Sequence, residues 1–303
     1  MAIKIFAPAT IGNVGPGFDV LGLAVSGLGD HFEIDAVDDP AASLISVAGR
    51  DAEFIPNDPQ KNTVTLAAQY LAQSQGKTLG FQVHIERSLP VSGGLGASAA
   101  SSVAGALGAG AILNVTDKNQ ILAAALHAEA MVAGRHLDNI APCLLGGLCV
   151  VQNVDPPIVY RALYRGDFSF VLLTPAVQID TKKSRSLLPT SLDNAAWIKQ
   201  MALTASLVTG FSLGDAAIIS KALQDPFAEP KRGPLIPNFS QAKQAALQEG
   251  ALAFAISGGG PSCFALCENA SIAGQVAEAC LAAFGSNTSV HIGPLAEEGA
   301  HIL

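Results

Sequence analysis

The segment 89–102, LPVSGGLGASAASS, places Gly93, Gly94 and Gly96 within four positions and then runs into small helix-forming residues. Few arrangements tolerate this. Glycine takes positive φ without steric cost and lets backbone N–H groups come close to a ligand. An alternating stretch at 81–85, FQVHI, predicts a strand before the loop, and 98–113 reads as a helix after it. The start of such a helix carries unpaired N–H donors and about half a positive charge. Strand, glycine loop and helix start together make an anion cradle that needs no lysine. The same residues also fit a tight strand-to-helix turn packed beneath a neighbour, and the loop by itself leaves both open.

Two common phosphate chemistries fail on the residues. A P-loop requires GxxxxGK[ST], and no lysine follows these glycines. A dinucleotide fingerprint fits only by reading Gly94, Gly96 and Ala99 as its glycine positions and Asp117 as its ribose acid. Its strand should feed the glycines directly, whereas a stretch containing Pro90 intervenes, and Asp117 stands where a helix cap is expected. Net charge is −8, from 17 basic and 25 acidic side chains, which argues against a nucleic-acid surface but not against a local phosphate site.

Half of the 303 residues are hydrophobic and 14% are charged, enough for a large core. Apolar runs are interrupted well before the roughly 18–20 residues of a membrane span. The opening MAIKIFAPAT has neither the basic region nor the apolar core of a signal peptide and reads as a first strand. The five cysteines show no CxxC pair and sit among small apolar residues, so buried free thiols in a reducing, cytoplasmic setting are expected.

Strands are expected at 4–7, 31–37, 44–47 and 81–85, helices at 62–74, 98–113 and from a cap at 116–117 to 132, and an apolar strand broken by Gly146 and Gly147 at 141–151. From Phe168 onwards, strands at 168–173, 252–257 and 262–267 alternate with helices at 194–208, 213–223, 239–249 and 272–284. This pattern predicts an α+β chain of two units, 1–165 with the glycine loop and 166–303.

The residues 90–100 match P-x-x-x-G-L-G-[SA]-S-A-A, which resembles the central motif of the GHMP small-molecule kinases. The 7–25 segment, APATIGNVGPGFDVLGLAV, and the 256–266 segment, ISGGGPSCFAL, resemble that superfamily's two outer motifs. Asn13, Gly15, Gly17, Phe18 and Asp19, with HLDNIAPCLLGGL at 136–148, TKKSRSLLP at 181–189 and EPKRGPLIPN at 229–238, are similar to the homoserine kinase branch. That resemblance implies an N-terminal ATP-binding domain, a ferredoxin-like C-terminal domain, and a homodimer whose active site lies between its domains. The implied reaction converts ATP and L-homoserine to ADP and O-phospho-L-homoserine with Mg²⁺, a step toward threonine, and involves neither nucleic acid nor membrane.

By the same resemblance, Pro90, Gly93, Gly94, Leu95, Gly96, Ala97, Ser98 and Ala99 hold the nucleotide, with Asn62 and Thr63 at its base. Ser98 and Glu129 hold the metal. Asn13, Asp19, His136, Asp138, Asn139, Thr181, Arg185 and Arg232 surround the amino acid, and Asn139, Arg185, Ser98 and Glu129 carry the catalytic work. An amino-acid substrate asks for an arginine fork on its carboxylate and an acceptor for its ammonium, which suits Arg185, Arg232 and Asp19. Each residue also has a plainer reading: Asp19 as a turn cap, His136 as a satisfied histidine, Glu129 as an exposed helix residue, the arginines as surface charges. Ala97 stands where many relatives have a serine. An amide has no useful basicity, so Asn139 orients the hydroxyl and no dedicated carboxylate base is expected. The alternatives are a related kinase acting on another small alcohol and a non-catalytic metabolite sensor.

Overall fold

The computed structural model describes residues 2–132, 134–179 and 181–303, the side chains of 181–183 excepted. The chain opens with β1 (Ile3–Gly12), β2 (Leu21–Val37), β3 (Leu44–Gly49), α1 (Thr63–Ser74), β4 (Gly80–Arg87), α2 (Ala97–Leu113), α3 (Lys118–Val132), α4 (Ile140–Leu145), β5 (Leu148–Asn153) and β6 (Ile158–Ala162). The central path of this sheet runs β1-β2-β4-β3, and β5 branches from the start of β2 to carry β6. Only β3 runs parallel to its neighbour, because α1 separates it from β4 in sequence.

The second half contains β7 (Ser169–Pro175), α5 (Thr181–Ser186), α6 (Asn194–Leu213), α7 (Ala216–Ala222), α8 (Glu229–Arg232), α9 (Phe239–Gln248), β8 (Ala253–Ile256), β9 (Cys263–Cys267), α10 (Ala270–Phe284) and β10 (Thr288–Pro294). Its four-stranded antiparallel sheet has the order β10-β7-β9-β8, the ferredoxin-like arrangement. A last strand, β11 (His301–Ile302), returns to pair with β1, so the first sheet takes a strand from far beyond residue 165.

Three cores follow from the strand faces. Ile5, Phe32, Ile34, Phe81 and Ile85 face the helices α1 to α4. Ile11, Leu21 and Leu23 pack with Phe170, Leu172, Phe211 and Phe264, tying the two sheets together. Val171 and Leu173, the alternate residues of β7, face α9 and α10. Both faces of β7 are therefore buried, which is why FVLL at 170–173 reads as an unbroken apolar run rather than an alternation.

The strand expected at 141–151 is half helix. Ile140–Leu145 forms α4, and only Leu148–Asn153 is strand. Pro142 sits in the first helical turn, where its missing N–H is harmless, and Gly146 at φ 71° ends the helix. Six apolar residues in a row have no period that separates a short helix from a strand. No described helix is long and apolar enough to cross a membrane.

Candidate active site

A cleft of about 510 Å³ lies where the glycine loop, the 13–19 turn and the 258–259 loop converge. Backbone and side-chain bonds lock these three segments together. Ser257 Oγ donates to the Gly94 carbonyl at 2.6 Å, and the Ser262 N–H donates to the Gly93 carbonyl at 3.1 Å. The Gly258 N–H donates to the Gly12 carbonyl, and Asn13 Nδ2 donates back to the Gly258 carbonyl at 2.9 Å. The three sequence motifs thus form one structural unit.

Gly94 and Gly96 adopt φ of 80° and 70°. A Cβ on Gly94 would press on the Ser257 carbonyl, and one on Gly96 would overlap Thr10 Oγ1. Gly96 caps α2 without a side-chain acceptor, so the first-turn N–H groups of a 17-residue helix start free of any cap. Gly93, Gly94, Gly96, Ala97 and Ser98 line the cleft, as do Asn62 and Thr63. Pro90, Leu95 and Ala99 do not: all three are buried, with Leu95 in the core between the sheets and Ala99 in the core under α2. The side chains of Leu95 and Ala99 pack into the cores instead, so the contiguous motif does not present every side chain to the cleft. Asn62 also caps α1, accepting from the Val64 N–H at 3.0 Å.

Ser98 Oγ donates to Glu129 Oε1 at 2.7 Å. Glu129 is buried at the end of α3, and its second oxygen has no partner. Burial pushes its carboxyl up to about 7, with the nearby Asp138 adding to the shift against the Ser98 hydrogen bond. An orphaned carboxylate oxygen beside a hydroxyl is a suitable hard-oxygen pair for Mg²⁺, which keeps several waters. Among the described residues no cluster of three or more His, Cys, Asp or Glu offers a richer metal site.

The other wall carries the opposite charge. Arg185 holds Asp19 by two parallel hydrogen bonds, NH1 to Oδ2 at 3.0 Å and NH2 to Oδ1 at 2.7 Å. Asp19 sits at φ 55°, and its N–H is fixed by Asn13 Oδ1 at 3.0 Å. The Asn13 amide is thereby used on both sides, which makes it a brace for Asp19. His136 Nδ1 stands 3.5 Å from Asp19 Oδ1, and burial lowers its pKa more than Asp19 raises it. Arg232 is buried, donates from NH1 to the Gly258 carbonyl at 3.0 Å, and leaves Nε without a partner. The Thr181 side chain lies outside the described residues.

Asp138 and Asn139 both face the cleft between these walls. Asn139 Oδ1 accepts from Thr10 Oγ1 at 2.9 Å. Asp138 Oδ2 accepts the Asn13 N–H at 3.2 Å, and burial raises its carboxyl to about 7, Asp19 contributing in the same direction.

Three further residues, Arg87 in the cleft and Thr10 and Phe18 against residues that line it, carry no role in the sequence reading. Thr10 orients Asn139. Arg87 lines the cleft, donates to Ser101 Oγ at 2.9 Å and pairs with the buried Asp30 at 3.2 Å. Its signal was present: Phe81, Val83, Ile85 and Arg87 all fall on the buried phase of β4. Phe18 stands beside both arginines.

Residues 62–147 match the family described as GHMP kinases N terminal domain, and residues 206–287 match GHMP kinases C terminal. A homoserine kinase of Xanthomonas campestris pv. campestris is 34% identical, the alignment covering 99% of this chain and 94% of the relative. This chain belongs to the homoserine kinase family. A homoserine kinase of Pyrococcus abyssi is 36% identical, with 89% of each chain covered. The crystal structure of a homoserine kinase from Cytophaga hutchinsonii superposes with a TM-score of 0.92 at 33% identity, covering 100% of this chain and 97% of that one. The two-sheet architecture is accordingly that of the homoserine kinase family.

Proposed function

We propose that this cleft transfers the γ-phosphoryl group of ATP to the side-chain hydroxyl of L-homoserine, giving ADP and O-phospho-L-homoserine. The observation that carries the reading is the meeting, in one cleft, of an uncapped helix start with a carboxylate-binding and ammonium-binding wall.

Phosphoryl transfer leaves a protein mainly positioning and charge stabilisation to supply. The N–H groups at Gly96–Ser98 and the α2 dipole face the phosphates. Ser98 and Glu129 would hold Mg²⁺, which when bound neutralises charge on the β- and γ-phosphates. Arg185 and Arg232 take the amino acid's carboxylate and Asp19 its ammonium. The Asp19–Arg185 pair offers the same two charges in the same geometry, so substrate enters by exchanging partners rather than by burying unpaired ions. Thr10 holds the Asn139 carbonyl oxygen, and the amide N–H₂, which donates one hydrogen to Asp138 Oδ2 at 3.5 Å, has the other to orient the attacking hydroxyl. The hydroxyl proton leaves late, to phosphate or solvent.

The family resemblance also supports a homodimer in the cytoplasm. The N-terminal half of α6, with Trp197, Ile198 and Met201 exposed, is a suitable apolar surface for pairing, and light scattering tests this. A coupled ADP-release assay with homoserine, mevalonate, galactose and shikimate tests the reaction. Turnover confined to homoserine supports it. Turnover confined to another alcohol makes the chain a related kinase, and none at all leaves a sensor.

A further inference from the structure

Phe18 lies inside the matched N-terminal motif yet makes no polar contact that the proposed reaction uses. Its surroundings are unusual. The Arg185 guanidinium lies over its ring at 5.1 Å from the centroid, and the Arg232 guanidinium lies over it at 5.6 Å. Phe227 meets the ring edge-on at 4.9 Å and 72°. Two like charges share one aromatic ring, and they repel: burial and Arg185 both lower the Arg232 pKa. An aromatic face carries negative quadrupole density and attracts both cations.

The ring is mounted on a rigid turn. The Val20 and Leu21 N–H groups both donate to the Gly17 carbonyl, at 2.9 and 2.8 Å. Leu21 is fully buried in the core between the sheets. On the other side, the Asp19 N–H is held by Asn13. Phe18 therefore cannot follow the arginines if they move.

This matters at the step where substrate enters. In the free protein Asp19 holds the Arg185 fork. Once a substrate ammonium occupies Asp19, that hold is lost, and the Arg185 plane is left to the ring and to the His136 Nδ1 contact at 3.4 Å. Arg232 has a single hydrogen bond and an unpartnered Nε, so it leans on the ring throughout.

We infer that Phe18 is a positioning residue that holds the Arg185 and Arg232 guanidiniums against one aromatic ring, so that together they select a substrate carboxylate. The inference rests on the reading that these arginines bind the amino acid.

The test replaces Phe18 by Leu, which keeps an apolar side chain but removes the quadrupole, and by Tyr, which keeps both. A series with 4-fluoro- and 3,5-difluorophenylalanine at position 18 weakens the ring face in steps while preserving its shape. The expected result for Phe18→Leu is a KM for homoserine raised about tenfold with kcat changed less than twofold, because neither guanidinium then has a ring face to rest on. Tyr should restore KM to within about twofold, and the fluorinated series should raise it in order of fluorine number. Discrimination against 3-aminopropan-1-ol, which lacks the carboxylate, should fall in parallel. The arginine Nε–H NMR signals of the free protein give a readout independent of turnover: those of Arg185 and Arg232 should lose their ring-current displacement and sharpen towards free-arginine values in Phe18→Leu. A wild-type protein inactive on homoserine but with these displaced signals would reject the substrate reading and keep the Phe18 contact. Unchanged arginine signals in Phe18→Leu, or a flat KM across the fluorinated series, would overturn the inference.

Discussion

Ser98 and Glu129 meet across the cleft at 2.7 Å, linking the first turn of α2 to the last turn of α3. The hydroxyl satisfies one carboxylate oxygen and leaves the other buried and unpartnered. An unpartnered polar atom of this kind costs stability, which a cation restores.

Ser98→Ala should remove the hydroxyl proposed for the metal and the hydrogen bond it gives Glu129. We expect kcat/KM for Mg²⁺-ATP to fall at least tenfold while homoserine binding changes little. Steady-state kinetics at varied Mg²⁺ checks this, and an unchanged rate would take Ser98 out of the metal site.

Glu129 and Asp138 both have carboxyls raised to about 7 by burial, and the Asp138 charge raises Glu129 further. Their folded pKa values lie above the unfolded ones. The protonated forms therefore favour the folded state: their contribution is complete below about pH 4 and is lost as pH rises through about 7. The melting temperature of the nucleotide-free protein should drop between pH 5 and pH 8. Glu129→Gln should flatten that drop, and added Mg²⁺ should reverse it in the wild type but not in the variant.

Asp138 faces the cleft beside Asn139, and near pH 7 it is partly ionised. With no dedicated base, Asp138→Asn should lower kcat by less than about a hundredfold, below the range typical of general-base loss. Abolished turnover with homoserine affinity intact would assign the proton to Asp138.

Arg232 and Arg185 should respond differently to truncation. Arg232 is 3% exposed, whereas the Arg185 side chain is 38% exposed. Arg232→Ala is expected to lower kcat/KM for homoserine more than tenfold and also to lower the melting temperature. Arg185→Ala should raise KM with little loss of stability, because Asp19 can be solvated once its partner is gone.

Gly96→Ala should place a Cβ against Thr10 Oγ1 at a left-handed φ. The expected cost is about 1–3 kcal/mol of stability, with displacement of Asn139 and a large loss of turnover. Gly76→Ala is the control: the same sign of φ with open space around it, so a smaller stability loss of about 1 kcal/mol and normal activity.

The strand, glycine loop and helix start at 81–113 were legible because they are local features with a period and a glycine break. Asp19, Arg185 and Arg232 could be named through family motifs, but their arrangement could not: residues 166 apart in sequence share one ion pair, and nothing in either segment's pattern encodes the other. Pro90, Leu95 and Ala99 show the reverse case, where a contiguous motif mixes cleft-lining residues with buried ones. α4 was missed because six apolar residues carry no period. The double use of the Asn13 amide is a property of three loops meeting, and appears only when they do.

The five cysteines have a consequence for how the molecule can be watched. All are fully buried free thiols, and burial pushes each one up, so reagents meet almost no thiolate in the folded state. Cys143 and Cys149 lie in the core beneath the first sheet, and Cys263, Cys267 and Cys280 lie between the second sheet and its helices. Thiol labelling is thus a chemical clock with two hands. Each set advances only when its own layer breathes open. Mass spectrometry of the labelled peptides would time the two layers separately, with no probe introduced into the chain.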